Sequence, residues 1–151
     1  MPMTLRMGAL IVLFGGAMAM AAAPAGAQPG QAPVPAGDRQ AIRKVIRAQM
    51  DAFRRDDGAA AFSYASPSIR SQFQTPERFM EIVRRGYRPV YRPRSVKFLE
   101  LIETGGQIFQ KVWVLGPDGV PVNAYYVMER QPGGGWKIGG CILARPGGET
   151  I

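Results

Sequence analysis

Ile108-Phe109-Gln110-Lys111-Val112-Trp113-Val114-Leu115, then Gly116-Pro117-Asp118-Gly119, then Val120-Pro121-Val122-Asn123-Ala124-Tyr125-Tyr126-Val127-Met128: two runs rich in β-branched and aromatic residues enclose four residues suited to a reverse turn. So short a turn joins antiparallel neighbours, because a parallel pair needs a crossover of a dozen or more residues. The pattern repeats on both sides. Val96 to Glu103 and Trp136 to Leu143 have the same composition, and Thr104-Gly105-Gly106 and Pro132-Gly133-Gly134-Gly135 separate them from the central pair. The reading is a four-stranded antiparallel meander. In its third strand Val122, Ala124, Tyr126 and Met128 share one face, and Asn123, Tyr125, Val127 and Glu129 share the other. Apolar groups on both faces predict that helices cover one, while the other curls over a cavity or meets a second subunit.

Upstream the spacing changes from two to helical. Ile42, Val45, Ile46, Gln49, Met50 and Phe53 fall on one face of an amphipathic helix, with Asp38 as its expected cap and Gly58 as its expected end. Ala59 to Ala65 suits a second short helix, Ser68 to Phe73 a further turn, and Thr75-Pro76-Glu77 a helix start with Phe79, Ile82 and Val83 inward and Gly86 at the end. The sequence therefore predicts an α+β domain, with N-terminal helices packed on a curved four-stranded antiparallel sheet, over residues 38–143 and followed by a flexible tail at 144–151. Residues 28–37 carry three prolines, two glycines and no charge, and read as a flexible linker.

Residues 1–27 have the pattern of a signal peptide: a short stretch carrying Arg6, an uncharged run from Met7 to Ala23, and Ala25-Gly26-Ala27 for cleavage. The alternative is a retained anchor, but the apolar run is shorter than the roughly 20 residues a spanning helix needs. A periplasmic or secreted protein without an integral span is the expectation. Nineteen basic residues against 11 acidic give a net charge of +8, or +7 once Arg6 is removed. Such a charge favours anionic or amphipathic small molecules, or an envelope component, as partners; no nucleic-acid motif is present. Solubility explains the same excess equally well.

The chain has no histidine, which removes the commonest general base, and one cysteine, which rules out an intrachain disulfide. Cys141 lies in an apolar run and reads as a small hydrophobe in preference to a reactive thiol. No cofactor or metal motif is found, and Gly133-Gly134-Gly135 is a hairpin turn, since no helix follows it to hold a phosphate. Acid-base chemistry would fall to Asp56, Asp57 or Glu129 with tyrosines as donors. The plainer reading makes Asp56-Asp57-Gly58 a solvated helix end and Glu129 beside Arg130 a strand-end pair, so no catalytic residue is assigned.

The most distinctive string is Tyr87-Arg88-Pro89-Val90-Tyr91-Arg92-Pro93-Arg94. Its prolines predict an extended connector between helix and sheet, along which Tyr and Arg alternate. Either the pairs line a pocket mouth and fork onto an anion, or the prolines only route the chain. The candidate ligand residues are Tyr64, Tyr87, Tyr91, Arg92, Tyr125 and Glu129.

Ala52-Phe53-Arg54-Arg55-Asp56-Asp57, Ala61-Phe62-Ser63-Tyr64-Ala65-Ser66-Pro67, the Tyr87–Pro93 string and Trp136-Lys137-Ile138-Gly139-Gly140-Cys141-Ile142-Leu143 resemble the exported bacterial family called domain of unknown function 4864. The order of elements is similar to the nuclear-transport-factor-2-like superfamily, which includes ketosteroid isomerase and the SnoaL-like cyclases. The resemblance implies a cone-shaped, cystatin-like fold, a ligand cavity at the opening of the cone and a homodimer. It also implies an acidic or amide residue ahead of the Gly140-Cys141 pair, where this chain has Gly139. A non-catalytic binder is the leading expectation; an isomerase, cyclase or hydrolase, and a scaffold or accessory interaction domain, are the alternatives.

Overall fold

A turn at Gly105 and Gly106, both with positive φ, closes the first hairpin in two residues, the geometry that matches the natural twist of a strand pair. It joins β1 (Ser95–Thr104) to β2 (Gln107–Leu115), which runs on to β3 (Pro121–Arg130) and β4 (Trp136–Ala144). The sheet is antiparallel in sequence order. The computed structural model describes residues 33–147 and Ile151. The expected signal peptide, residues 28–32 of the expected linker and residues 148–150 lie outside that range. Among the described residues no helix is long and apolar enough to cross a membrane.

Among the described residues five helices precede the sheet: α1 (Ala36–Arg54), α2 (Gly58–Ser63), α3 (Pro67–Phe73), α4 (Pro76–Gly86) and α5 (Arg88–Tyr91). Helix α1 starts two residues before Asp38, so Asp38 does not cap it. Its carboxylate instead accepts from Trp136 Nε1 at 3.1 Å and pairs with Arg130, tying the first helical turn to the end of β3 and the start of β4. Gly58 likewise does not end α1. The helix stops at Arg54, the chain reverses through Asp56 at φ 53°, and Gly58 opens α2 beneath an Asp57 cap. The predicted cap of α4 is in place, with Thr75 Oγ1 accepting from the Arg78 amide, and α3 has a cap that was not predicted, Ser66 Oγ accepting from the Ile69 amide ahead of Pro67.

The expected extended connector is a helical turn, α5. Pro89 occupies its first turn, where a missing N–H costs nothing, and only Pro93 breaks the chain, holding Arg92 outside helical geometry at φ −137°. Ile82, expected inward, is 44% exposed.

Two apolar clusters form. Ile42, Ile46 and Met50 of α1 pack on Val112, Val114, Ala124 and Tyr126 of the sheet. Ala52 and Phe53 at the end of α1 pack with Ala61, Phe62, Phe79 and Met80 of α2 and α4. In the second cluster the Phe79 ring is shared, lying 6.1, 5.3 and 5.7 Å from those of Phe53, Phe62 and Phe73. The other sheet face carries Phe109, Trp113, Tyr125 and Val127, half-buried, and Ile142, 45% exposed; none of these belongs to either cluster.

Both edge strands are modified. Tyr64–Ser66 run parallel to β4, with Ile138 N–H donating to Tyr64 O at 2.9 Å and Ser66 N–H to Ile138 O at 2.8 Å, which covers part of an otherwise open edge. On β1 the register shifts between Phe98 and Leu101, and Gln110 Nε2 bonds Leu99 O across the irregularity at 2.9 Å.

Candidate functional site

The two clusters do not fuse, and a cavity of about 300 Å³ lies on the seam between them. Phe53, Phe79, Val83 and Val90 form its helical side; Tyr126 and Ile138 form its sheet side; Ile69, Gln72, Phe73 and Ile82 of α3 and α4 also line it. Tyr87 packs against both clusters and bridges the seam. The wall has no charged side chain. Its size is at the lower end of small-molecule pockets.

Polar groups in the wall are few. Gln49 is 3% exposed and donates to Ala61 O at 3.1 Å, so its amide nitrogen is engaged. Tyr126 is 1% exposed, and its hydroxyl has no hydrogen-bond partner. Burial pushes Tyr126 well above the ordinary phenol range, and burial, with the nearby Cys141, also raises Tyr87. Cys141 is only partly covered as a residue. Its sulfur is nevertheless surrounded, and burial pushes the thiol up to about 12, so it is a neutral thiol, not a nucleophile, at physiological pH. The sulfur is close enough to influence both phenols, but no hydrogen bond of acceptable geometry joins it to Tyr126 Oη.

The strand pattern explains this arrangement. Val122, Ala124, Tyr126 and Met128 all point inward, so Tyr126 carries the one hydroxyl of that row under α1. Cys141 pairs with it across the β3–β4 ladder. A tyrosine at an inward strand position was the available signal, because a buried phenol requires a hydrogen-bond partner.

Of the six candidate ligand residues, Tyr87 lines the cavity. Tyr64 ends α2 and packs on the main cluster beside β4. Tyr125 and Glu129 alternate with the inward row and face the other side of the sheet; Lys111 Nζ lies 6.0 Å from the Tyr125 ring. Glu129 fills the space beside Gly139, where a Cβ would fall 2.2 Å from its Oε1.

Tyr91 and Arg92 meet Asp56 instead. The Tyr91 hydroxyl donates to Asp56 Oδ1, Arg92 Nη2 donates to Asp56 Oδ2 at 2.8 Å, and Arg92 Nη1 donates to the Phe53 carbonyl. The Arg92 guanidinium stacks 4.0 Å from the Tyr91 centroid, and Arg84 Nη2 stands 3.6 Å from Asp56 Oδ1. The Tyr91 hydrogen bond first, then Arg92 and Arg84, hold the Asp56 carboxyl below its ordinary range. The network fastens the reversal after α1 to α5, so the Arg92 fork is already engaged within the chain. Asp57, the other acidic candidate of this stretch, caps α2. Among the described residues no three His, Cys, Asp or Glu side chains gather in a way that could hold a metal ion.

No curated protein and no solved structure was found to match the chain. A family model does match, over residues 35–151, from the turn before α1 through β4 and beyond. That span contains both clusters, the cavity and the Asp56 network, and the chain belongs to the family described as Domain of unknown function (DUF4864).

Proposed function

We propose that this domain is a non-catalytic binder of a small amphipathic molecule, held in the cavity between the two clusters. The observation that carries the reading is the cavity itself: an uncharged, largely apolar space of about 300 Å³ between the helices and the sheet. A ligand held there stabilises the folded protein in proportion to its concentration over its dissociation constant. An uncharged wall favours the amphipathic over the anionic partner. The test is titration with N-phenyl-1-naphthylamine, a neutral dye that brightens in apolar surroundings. Saturable one-to-one binding is expected, and Val83→Trp, which sets an indole inside the cavity, should abolish it while circular dichroism stays unchanged. Equal binding by both proteins would overturn the reading.

The sequence pattern of residues 1–27 supports an exported setting, periplasmic or secreted, for this binder; intact mass of an envelope fraction retaining Met1 would argue against a cleaved leader. The order of helices before a four-stranded sheet fits a nuclear-transport-factor-2-like cone. The row Phe109, Trp113, Tyr125 and Ile142 on the outer sheet face favours a second reading, association with another copy or with an envelope protein. Sedimentation equilibrium of the purified chain separates a self-associating protein from a monomer.

A further inference from the structure

On α4 the exposed pair Glu81 and Arg85, four residues apart, carries opposite charges and closes at 2.8 Å, an arrangement that supports a helix. Helix α1 uses the same spacing for like charges. Arg39, Arg43 and Arg47 follow one another at intervals of four, Lys44 lies beside them, and all four are exposed. Like charges so placed weaken a helix. Of the two carboxylates in α1, Asp38 is held by Arg130 and Trp136, and Asp51 by Arg54 at 3.0 Å. Among the described residues no ion pair includes any of the four cations. Arg43 and Arg47 share one ring instead, their guanidiniums standing 5.8 and 4.8 Å from the centroid of Phe98 on β1. The ring holds two cations side by side. Arg39 donates Nε–H to the Val34 carbonyl at 2.9 Å, which orients its side chain and leaves its charge unmatched.

We propose that this face of α1 is a docking surface for an anionic phospholipid bilayer. The open groove over it is walled by Gln40, Arg43, Lys44, Arg47, Ala48 and Asp51, all from the one helix. With no second element to enclose a small anion, the face suits a broad sheet of phosphates over a single one. None of the exposed large apolar side chains among the described residues lies on α1, so contact stays at the headgroups, without insertion. The chain also enters this helix from an apolar segment. Twelve residues, 24–35, separate the run ending at Ala23 from α1, a reach of about 40 Å at full extension. The face is separate from the cavity, whose wall includes none of these cations.

The experiment is co-sedimentation of the protein, recovered from an envelope fraction, with vesicles of phosphatidylcholine alone or mixed with phosphatidylglycerol. Wild type should bind the mixed vesicles, should bind the neutral ones far less, and should be released on going from about 0.1 M to about 1 M salt, where the Debye length falls to about 3 Å. Each Lys or Arg at such a surface is worth about fivefold in partitioning, so Arg43→Gln with Arg47→Gln should lose about tenfold or more. Arg39→Gln with Lys44→Gln, which leaves the Phe98 ring covered, should lose a similar amount. Arg70→Gln with Arg88→Gln removes two exposed charges from α3 and α5 and should stay within about twofold of wild type. An equal loss in that last pair would overturn the proposal, because net charge and not the α1 face would govern binding. Equal binding to neutral and mixed vesicles would overturn it, as would α1 variants that bind like wild type. Wild type that binds heparin and no vesicle would overturn it in favour of an anionic polymer.

Discussion

Tyr91 and Tyr126 each present a phenol hydroxyl to a cluster of apolar side chains, but only the first has a partner. Around Tyr91 the groups answer one another: the hydroxyl and Arg92 Nη2 share the Asp56 carboxylate, Arg92 Nη1 donates to the Phe53 carbonyl, and the guanidinium covers the ring. Around Tyr126 the hydroxyl has no acceptor and the neighbouring thiol is held neutral. A closed network of this kind stabilises one conformation; an enclosed hydroxyl without a partner adds no such tie. Partially exposed charge thus serves the fold here, and the neutral interior is the better candidate for binding.

Phe53 joins the two regions, since its ring lines the cavity while its carbonyl receives Arg92. Phe53→Ala should therefore have the largest effect, about 3–5 kcal/mol of unfolding free energy in urea titrations, towards the upper end because the new void adds to an existing one. A loss below about 2 kcal/mol would show that the two regions do not depend on a common side chain.

Arg92→Ala sharpens the contrast at intermediate cost. It removes the fork from Asp56 and the donor from Phe53 O, and should lower stability by about 1–2 kcal/mol, with Arg92→Lys recovering only part because the charge returns without the planar geometry. Its affinity for N-phenyl-1-naphthylamine should equal that of wild type. A specific loss of dye binding would return Arg92 to the ligand site.

The smallest effect belongs to Asp56→Asn, which suits the positive φ at this position and removes only the charge. A carboxyl held below its ordinary range stabilises the fold at neutral pH, and that contribution disappears as pH falls through the folded-state value. Wild type should thus be slightly more stable than Asp56→Asn at pH 7, and the two thermal unfolding curves should converge in strong acid. Curves that stay apart in acid would mean that the charge is not what holds the junction.

Much of the fold was legible because it depends on local chemistry. Two-residue periodicity with glycine-rich turns placed all four strands within a residue or two, and the Thr75 cap announced α4. What escaped depended on contacts distant in sequence. Asp38 looked like a cap because nothing local showed that Arg130 and Trp136 would reach it. Pro89 looked like a breaker because the same ring that disrupts a helix interior fits a first turn. The connector's tyrosines and arginines stood out by composition, yet their partner was a carboxylate 35 and 36 positions away. The cavity was the least legible feature, because it exists only where two clusters built from different segments fail to meet.

The bulge in β4 has a consequence for how such a sequence changes over time. Gly139 falls where the β3–β4 register shifts, and Glu129 from the adjacent strand occupies the space a side chain there would need. Positions 129 and 139 therefore behave as one volume shared by two sites. A substitution at 139 made first collides with Glu129, whereas the same substitution made after position 129 has become small no longer meets that side chain. The order of the two steps decides whether the path is open, so the residues tolerated at either site can be stated only together with the residue at the other.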